Sequence, residues 1–164
     1  MKKIIKSKPA IIGLCLLALI LMVCNFPVYR IAMVDGSSYY DTKEISMLAY
    51  VGTPWDRSIG KDVLEKADAA FSDISHSQEQ NEAAYGLLSR YATSLERSAA
   101  DEKHSLKLWS AHFDSTSGYM WVYYSAEIYD ASGRVVSRSE NIPSLWHIEK
   151  ANGAWVVVGI KEHP

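Results

Sequence analysis

The chain is 164 residues long, 48% apolar and 22% charged, which suits one globular domain plus an accessory segment and excludes a disordered chain. Its net charge of −2 hides an asymmetry: Lys2, Lys3, Lys6 and Lys8 crowd the start, while 13 basic and 19 acidic residues leave positions 30–164 at −6. A surface of that sign repels phosphate backbones and counts against a nucleic-acid partner.

Residues 1–8 read as a basic tail. From Ala10 to Cys24 the sequence AIIGLCLLALILMVC carries no charge, and 21 uncharged positions separate Lys8 from Arg30. As a helix at about 1.5 Å per residue those positions extend roughly 31 Å, the depth of one hydrocarbon core. The spacing predicts a transmembrane anchor over residues 9–29, with Phe26 and Tyr29 at the membrane–water interface. Cleavage as a secretory signal and lipidation are the two other fates. No small-x-small cleavage site follows the run. Leu21-Met22-Val23-Cys24 resembles a bacterial lipobox, but Val23 stands where a small residue is expected, so Cys24 is a weak lipidation candidate. By the positive-inside rule the N-terminus lies in the cytoplasm and the rest outside, a single-pass protein of the cell membrane. Cys15 and Cys24 would sit about 13 Å apart along one helix, too far for a mutual disulfide.

Residues 30–52 read as a tether, with a turn signal at Asp35-Gly36-Ser37-Ser38. Within it, 44–51 is equally a short strand or a helical turn. A domain over 53–164 follows. Thr53-Pro54-Trp55-Asp56 is a helix-start signature, and Ile59, Val63, Ala67, Ala70, Phe71 and Ile74 form one buried stripe. A break is expected at 73–77. Ser77 with Gln80 caps a second helix running to about Ser98, with Ala84, Leu87, Leu88, Tyr91 and Leu95 as its stripe. Gly86 weakens that helix by roughly 1 kcal/mol relative to alanine.

From Leu106 the period falls to two. Strands are predicted over about 105–113, 119–130, 134–149 and 154–162, with Pro143 marking a bulge or an edge. Asn152-Gly153 is a tight-turn dipeptide closing a last hairpin. The pattern there places Trp146 and Ile148 with Val156, Val158 and Ile160, and puts Trp155 on the opposite face. The architecture is α+β: an N-terminal transmembrane helix, then two or three helices packed on a four-stranded antiparallel meander.

This order of elements, ending in Trp146, Ile148, Lys150, Gly153, Trp155 and Val157 as W-x-I-x-K-x-x-G-x-W-x-V, resembles the nuclear transport factor two-like, cystatin-like cone superfamily. It is more narrowly similar to small exported or membrane-anchored members from Gram-positive bacteria. The resemblance covers about residues 53–163. It implies a curved sheet around a pocket and leaves function open, since such members include isomerase-like enzymes, ligand binders and scaffolds.

Candidate chemistry is sparse. Glu127 in an apolar cavity would serve as a general base, with Tyr123 as an oxyanion donor and His112 and His147 as further strand-borne candidates. The competing reading packs these residues under helices or in an interface. No metal or cofactor is expected: the five histidines lack HExxH spacing, and His147-Ile148-Glu149 lacks the cysteines of a zinc deaminase. Ser58-Ile59-Gly60-Lys61 matches S-x-x-K without the motifs that should follow. The aromatic residues say more, because half of all 18 fall in the last 60 positions. Two short helices cannot bury them all, so Trp109, Tyr119, Trp121, Tyr123 and Trp155 are the expected binding residues. The expectation is a non-catalytic binding or interaction module for a small apolar ligand or an envelope protein, with homodimerisation open. A small isomerase- or hydrolase-type enzyme and a structural subunit of an envelope complex are the alternatives.

Overall fold

The computed structural model describes residues 8–35, 43–92 and 99–162, with side-chain surroundings for 9–28, 48–92 and 99–162. Helix α1 spans Lys8–Asn25, followed by strands β1 (Pro27–Asp35) and β2 (Lys43–Tyr50), helices α2 (Pro54–Phe71) and α3 (Gln78–Tyr85), and a 3-10 helix at Gly86–Tyr91. Strands β3 (Asp101–Phe113), β4 (Ser117–Tyr129), β5 (Val135–Ala151) and β6 (Ala154–Glu162) complete the chain. The last four form one sheet in sequence order, each antiparallel to the next, and β1 with β2 forms a separate two-stranded sheet.

The N-terminal segment differs from expectation in two ways. The helix stops at Asn25 rather than reaching residue 29, because Pro27 disfavours helix before it and cannot donate within one. Its 18 residues extend about 27 Å. Among the described residues no helix is long and apolar enough to cross a membrane. Residues 27–35 and 43–50 then pair as antiparallel strands instead of forming a plain tether, and the strand option for 44–51 is the one adopted.

Helix α2 begins at a complete capping box. Asp56 N donates to Thr53 Oγ1 at 3.1 Å and Thr53 N donates to Asp56 Oδ2 at 2.6 Å, with Pro54 pre-setting the first turn. Its buried stripe is Ile59, Val63, Ala67, Ala70 and Phe71. Helix α3 starts at the expected Ser77–Gln80 box but ends thirteen residues short of Ser98. Gly86 takes φ +57°, the left-handed region open to glycine, and the chain re-enters as a 3-10 helix. That tighter winding buries Leu88 and Tyr91 and leaves Leu87 exposed. Leu95 falls outside the described residues.

Helix α2 and the 3-10 helix pack on one face of the four-stranded sheet, its inner face, and α3 lies against those two. The core joins Ile59, Val63, Phe71, Leu88 and Tyr91 to Met120, Val122, Trp146 and Ile148. The outer face is covered locally by the end of β2, where Tyr50 N donates to Ser110 Oγ at 2.9 Å and that hydroxyl donates back to Tyr50 O at 3.0 Å.

Irregularities in the ladder set which side chains face inward. The predicted parity of the closing hairpin is corrected: the Asn152-Gly153 turn sets Ala151 opposite Ala154, and hence Ile148 opposite Val157. Trp155 and Val157 therefore face inward beside Ile148. A bulge at Val158 then shifts the register so that Trp146 meets Ile160, and both tryptophans share the inner face. Pro143 lies one residue beyond the last described β5–β6 pair, Ser144 with Glu162, so β5 needs no donor there. A second bulge sits nearby, with Asn141 at φ +52° donating its N–H to Ser125 Oγ at 2.9 Å.

Candidate functional site

Three elements bring a polar cluster into the inner face. The 3-10 helix ends on Tyr91, β5 contributes Ser144 and Trp146 at alternate positions, and β6 ends on Glu162 opposite Ser144. Trp146 and Ser144 are wholly buried, and Tyr91 is nearly so.

Counting protons fixes how these groups bond. Tyr91 and Ser144 each have one hydroxyl hydrogen, and both point to Glu162 Oε1: the phenol in a short bond and Ser144 at 2.9 Å. The indole N–H of Trp146 then donates to the two hydroxyl oxygens, at 2.7 Å to Ser144 and 3.1 Å to Tyr91. The other carboxylate oxygen meets Arg90 Nη2 at 3.3 Å. Every donor has an acceptor and the carboxylate is fully engaged. Burial, and then the negative charge of Glu162, push the Tyr91 phenol well above its ordinary value, so it stays protonated. The same two causes lift Tyr124 to about 12. Around the cluster stand Phe71, stacked on Tyr91 at 4.5 Å, and Tyr124, edge-on to Tyr91 at 5.2 Å. The carboxylate accepts two hydroxyl hydrogen bonds and faces Arg90, so the arrangement braces the inner face.

Beside it, a cleft of about 400 Å³ opens between the helices and β6, lined by Val63, Ala69, Tyr85, Leu88, Trp155 and Val157 among others. At its rim Lys66 Nζ donates to Trp155 O at 3.0 Å. Size and lining suit a small apolar ligand.

The residues expected from the sequence are distributed differently. Glu127 lies on the outer face, 30% exposed, bonded to Arg138 at 3.2 Å and accepting from the Tyr129 hydroxyl at 2.5 Å. Tyr123 shares that face four residues away, about 13 Å along the strand, too far for both to act on one atom. Tyr123 meets Trp109, which sits on a bulge of β3, at 5.5 Å. His112 stacks on Tyr50 at 4.2 Å and is the cross-strand partner of Tyr119, which stacks on His147 at 4.7 Å. Tyr50, His112, Tyr119 and His147 thus form a row of rings across the outer face. Trp121 lies buried on that face, with its indole nitrogen, like His112 Nδ1, lacking a partner among the described residues. Trp155 is apart from these four, in the inner cleft. Cys24 is half-buried and free, and its carbonyl accepts from Gly52 N at 3.2 Å. Among the described residues no group of three or more His, Cys, Asp or Glu is placed to hold a metal.

The sequence marks Tyr91 only as part of a helical stripe and does not mark Arg90, Ser144 or Glu162. One signal was available: Ser144 interrupts an otherwise apolar buried set, Val122, Trp146 and Ile148, and faces a glutamate across the hairpin. Comparison with family models, curated proteins and solved structures gives no match for this chain.

Proposed function

We propose that the chain is a membrane-anchored, extracytoplasmic binding or protein-interaction module that works without catalysis. The observation that carries this reading is the outer face of the sheet. It lies opposite both helices and presents the ring row, with Trp109 and Tyr119 still 45% and 41% exposed. Rings with a polar edge suit contact surfaces, where they bury apolar area and keep a hydrogen-bonding tip. The non-catalytic part is supported by the saturation of Glu162 and by the Arg138 and Tyr129 contacts that occupy Glu127.

The anchor is supported by α1. It is apolar on every side, and all its described side chains are exposed except that of Cys24, which is half-exposed. Such a helix has no face to offer the domain and suits a lipid surrounding. Its shortfall of a few ångströms against the hydrocarbon core falls within what local thinning accommodates. A second reading, a structural subunit of an envelope complex, is favoured by the edge position of β6 among the described strands, where Val156 and Val158 are exposed.

The test is site-specific photo-crosslinking of the full chain in intact cells, with the probe at Tyr119 and a control at Ala131. One defined adduct from Tyr119 and none from Ala131 supports the outer face as the contact surface. Equal labelling from both sinks it. With Cys15 and Cys24 replaced by alanine, Ser132→Cys should react with a membrane-impermeant thiol reagent and Ser7→Cys should not. The reverse pattern overturns the topology.

A further inference from the structure

At the open end of the sheet, His104 is held by both ring nitrogens. Nε2 lies 2.8 Å from Asp68 Oδ1 on α2, and Nδ1 lies 3.0 Å from Glu102 Oε2 on its own strand. The ring stacks on Phe71 at 5.0 Å, which in turn stacks on Tyr91. Neither His104 nor Glu102 is solvent-facing: their side chains are 11% and 5% exposed. Glu102 Oε1 is buried and lacks a partner among the described residues.

The bonding requires more protons than neutral groups supply. A neutral imidazole carries one N–H, yet both nitrogens face carboxylate oxygens, so two contacts need two hydrogens. The second comes either from an imidazolium or from a protonated Glu102. With neither, a nitrogen lone pair faces a carboxylate oxygen at 3.0 Å. No other described charge relieves the site. Across β4 the facing residue is Ala126, Asp101 adds only further negative charge near Glu102, and Tyr91 is reached only through Phe71.

We propose that Asp68, Glu102 and His104 form a proton-operated latch that fastens the C-terminal turn of α2 to β3 and lets go as the pH rises. Burial alone would lower the imidazole, but the Asp68 and Glu102 carboxylates overcome it and hold His104 above its ordinary 6.5. Burial raises Glu102, with the His104 contact opposing. Both groups are raised, so both work in one direction. The latch contributes fully below the unfolded imidazole value and is lost as pH climbs through the higher folded one. Its release frees Phe71, the ring that links this site to the Tyr91–Glu162 cluster.

Hydrogen exchange of the full chain in detergent, expressed as protection factors to remove the intrinsic pH effect, reads the latch directly. Protection of amides 65–71 should fall from about pH 5.5 to about pH 9, while the β4–β5 amides hold theirs. Glu102→Gln supplies an amide N–H to Nδ1 without any extra proton, so its protection should stay flat over the same range. Unchanged protection in the natural chain, or the same fall in Glu102→Gln, overturns the proposal. Should that variant not fold, the His104 ring titration followed by NMR in the natural chain decides: a midpoint at or below 6.5 overturns it.

Discussion

The phenol of Tyr91 and the carboxylate of Glu162, 71 residues apart, meet in a hydrogen bond that ties the 3-10 helix to the last strand. It adds a side-chain tie between two elements that already share the core through Leu88, Val157 and Ile160. The 3-10 helix is six residues long, and β6 is an edge strand. The bond closes the inner face at the Ser144–Glu162 end of the last hairpin.

The two partners should not cost the same to remove. Tyr91→Phe leaves Glu162 bonded to Ser144 and Arg90, and leaves Trp146 donating to Ser144, so about 1 kcal/mol should be lost. Glu162→Ala strands two buried hydroxyls, while the half-exposed Arg90 turns to water, and should cost about 3 kcal/mol. Urea midpoints of the two variants check the order. Equal losses would mean that the carboxylate does not organise the cluster.

Asp56 performs two tasks from a buried position. One oxygen closes the capping box with Thr53, and the other accepts from the backbone N–H of Phe113 at 2.9 Å, tying the start of α2 to the end of β3. Asp56→Ala removes the acid's half of the capping box and leaves the buried Phe113 N–H unpaired, for an expected loss of about 3 kcal/mol. Thr53→Ala removes only the cap's other half and should cost about 1 kcal/mol. Thermal unfolding of both variants separates the two roles.

The same helix start shows what a sequence makes legible. Thr53-Pro54-Trp55-Asp56 announces itself because capping is local: the groups that bond lie three residues apart. The α2 stripe and the turn at Asn152-Gly153 are legible for the same reason. The facing of Trp155 follows from counting pairs outward from that turn, Lys150 opposite Trp155, and the expected parity missed that count. What no composition signals is the bulge at Val158, which brings Ile160 opposite Trp146. The early end of α3 depends on one glycine taking φ +57°, which its cost in a helix hints at without requiring. The Tyr91–Ser144–Trp146–Glu162 cluster was the least legible part. Its members come from three elements, and only folding brings a tyrosine in a helical stripe beside a glutamate near the end of the chain.

Asp73 predicts an acid-side transition. Burial would raise this carboxyl, but the Tyr85 hydroxyl at 2.8 Å, the His76 ring and the Ser75 N–H hold it at about 2, below its ordinary 3.8. A depressed carboxylate contributes stability that is present above 3.8 and is lost as pH falls through the folded value. The α2–α3 junction should therefore loosen between those two values, ahead of the sheet. Circular dichroism on acid titration of Asp73→Asn against the natural chain is the check: the variant should lack that step and be less stable at neutral pH.

Two glycines, each packed closely, should respond in opposite degrees to the same substitution. At Gly60 an added Cβ would meet Leu108 Cδ2 at 2.8 Å, the far end of a side chain free to change rotamer. Gly60 is also inside α2, where alanine is favoured by about 1 kcal/mol, so Gly60→Ala should be close to neutral. At Gly118 the Cβ would lie 2.2 Å from Phe113 Cδ1 and 2.6 Å from the His112 carbonyl oxygen. A carbonyl in the facing strand cannot turn aside without breaking its ladder, and Phe113 is itself held in the core beside Trp155. Gly118→Ala should therefore cost about 2 kcal/mol or more, as overpacking does in a close-fitted interior. It should also disturb His112, whose ring belongs to the outer row, so a binding partner captured through Tyr119 should be lost in Gly118→Ala and kept in Gly60→Ala. Equal stability of the two variants would mean that the first hairpin yields more freely than its packing implies.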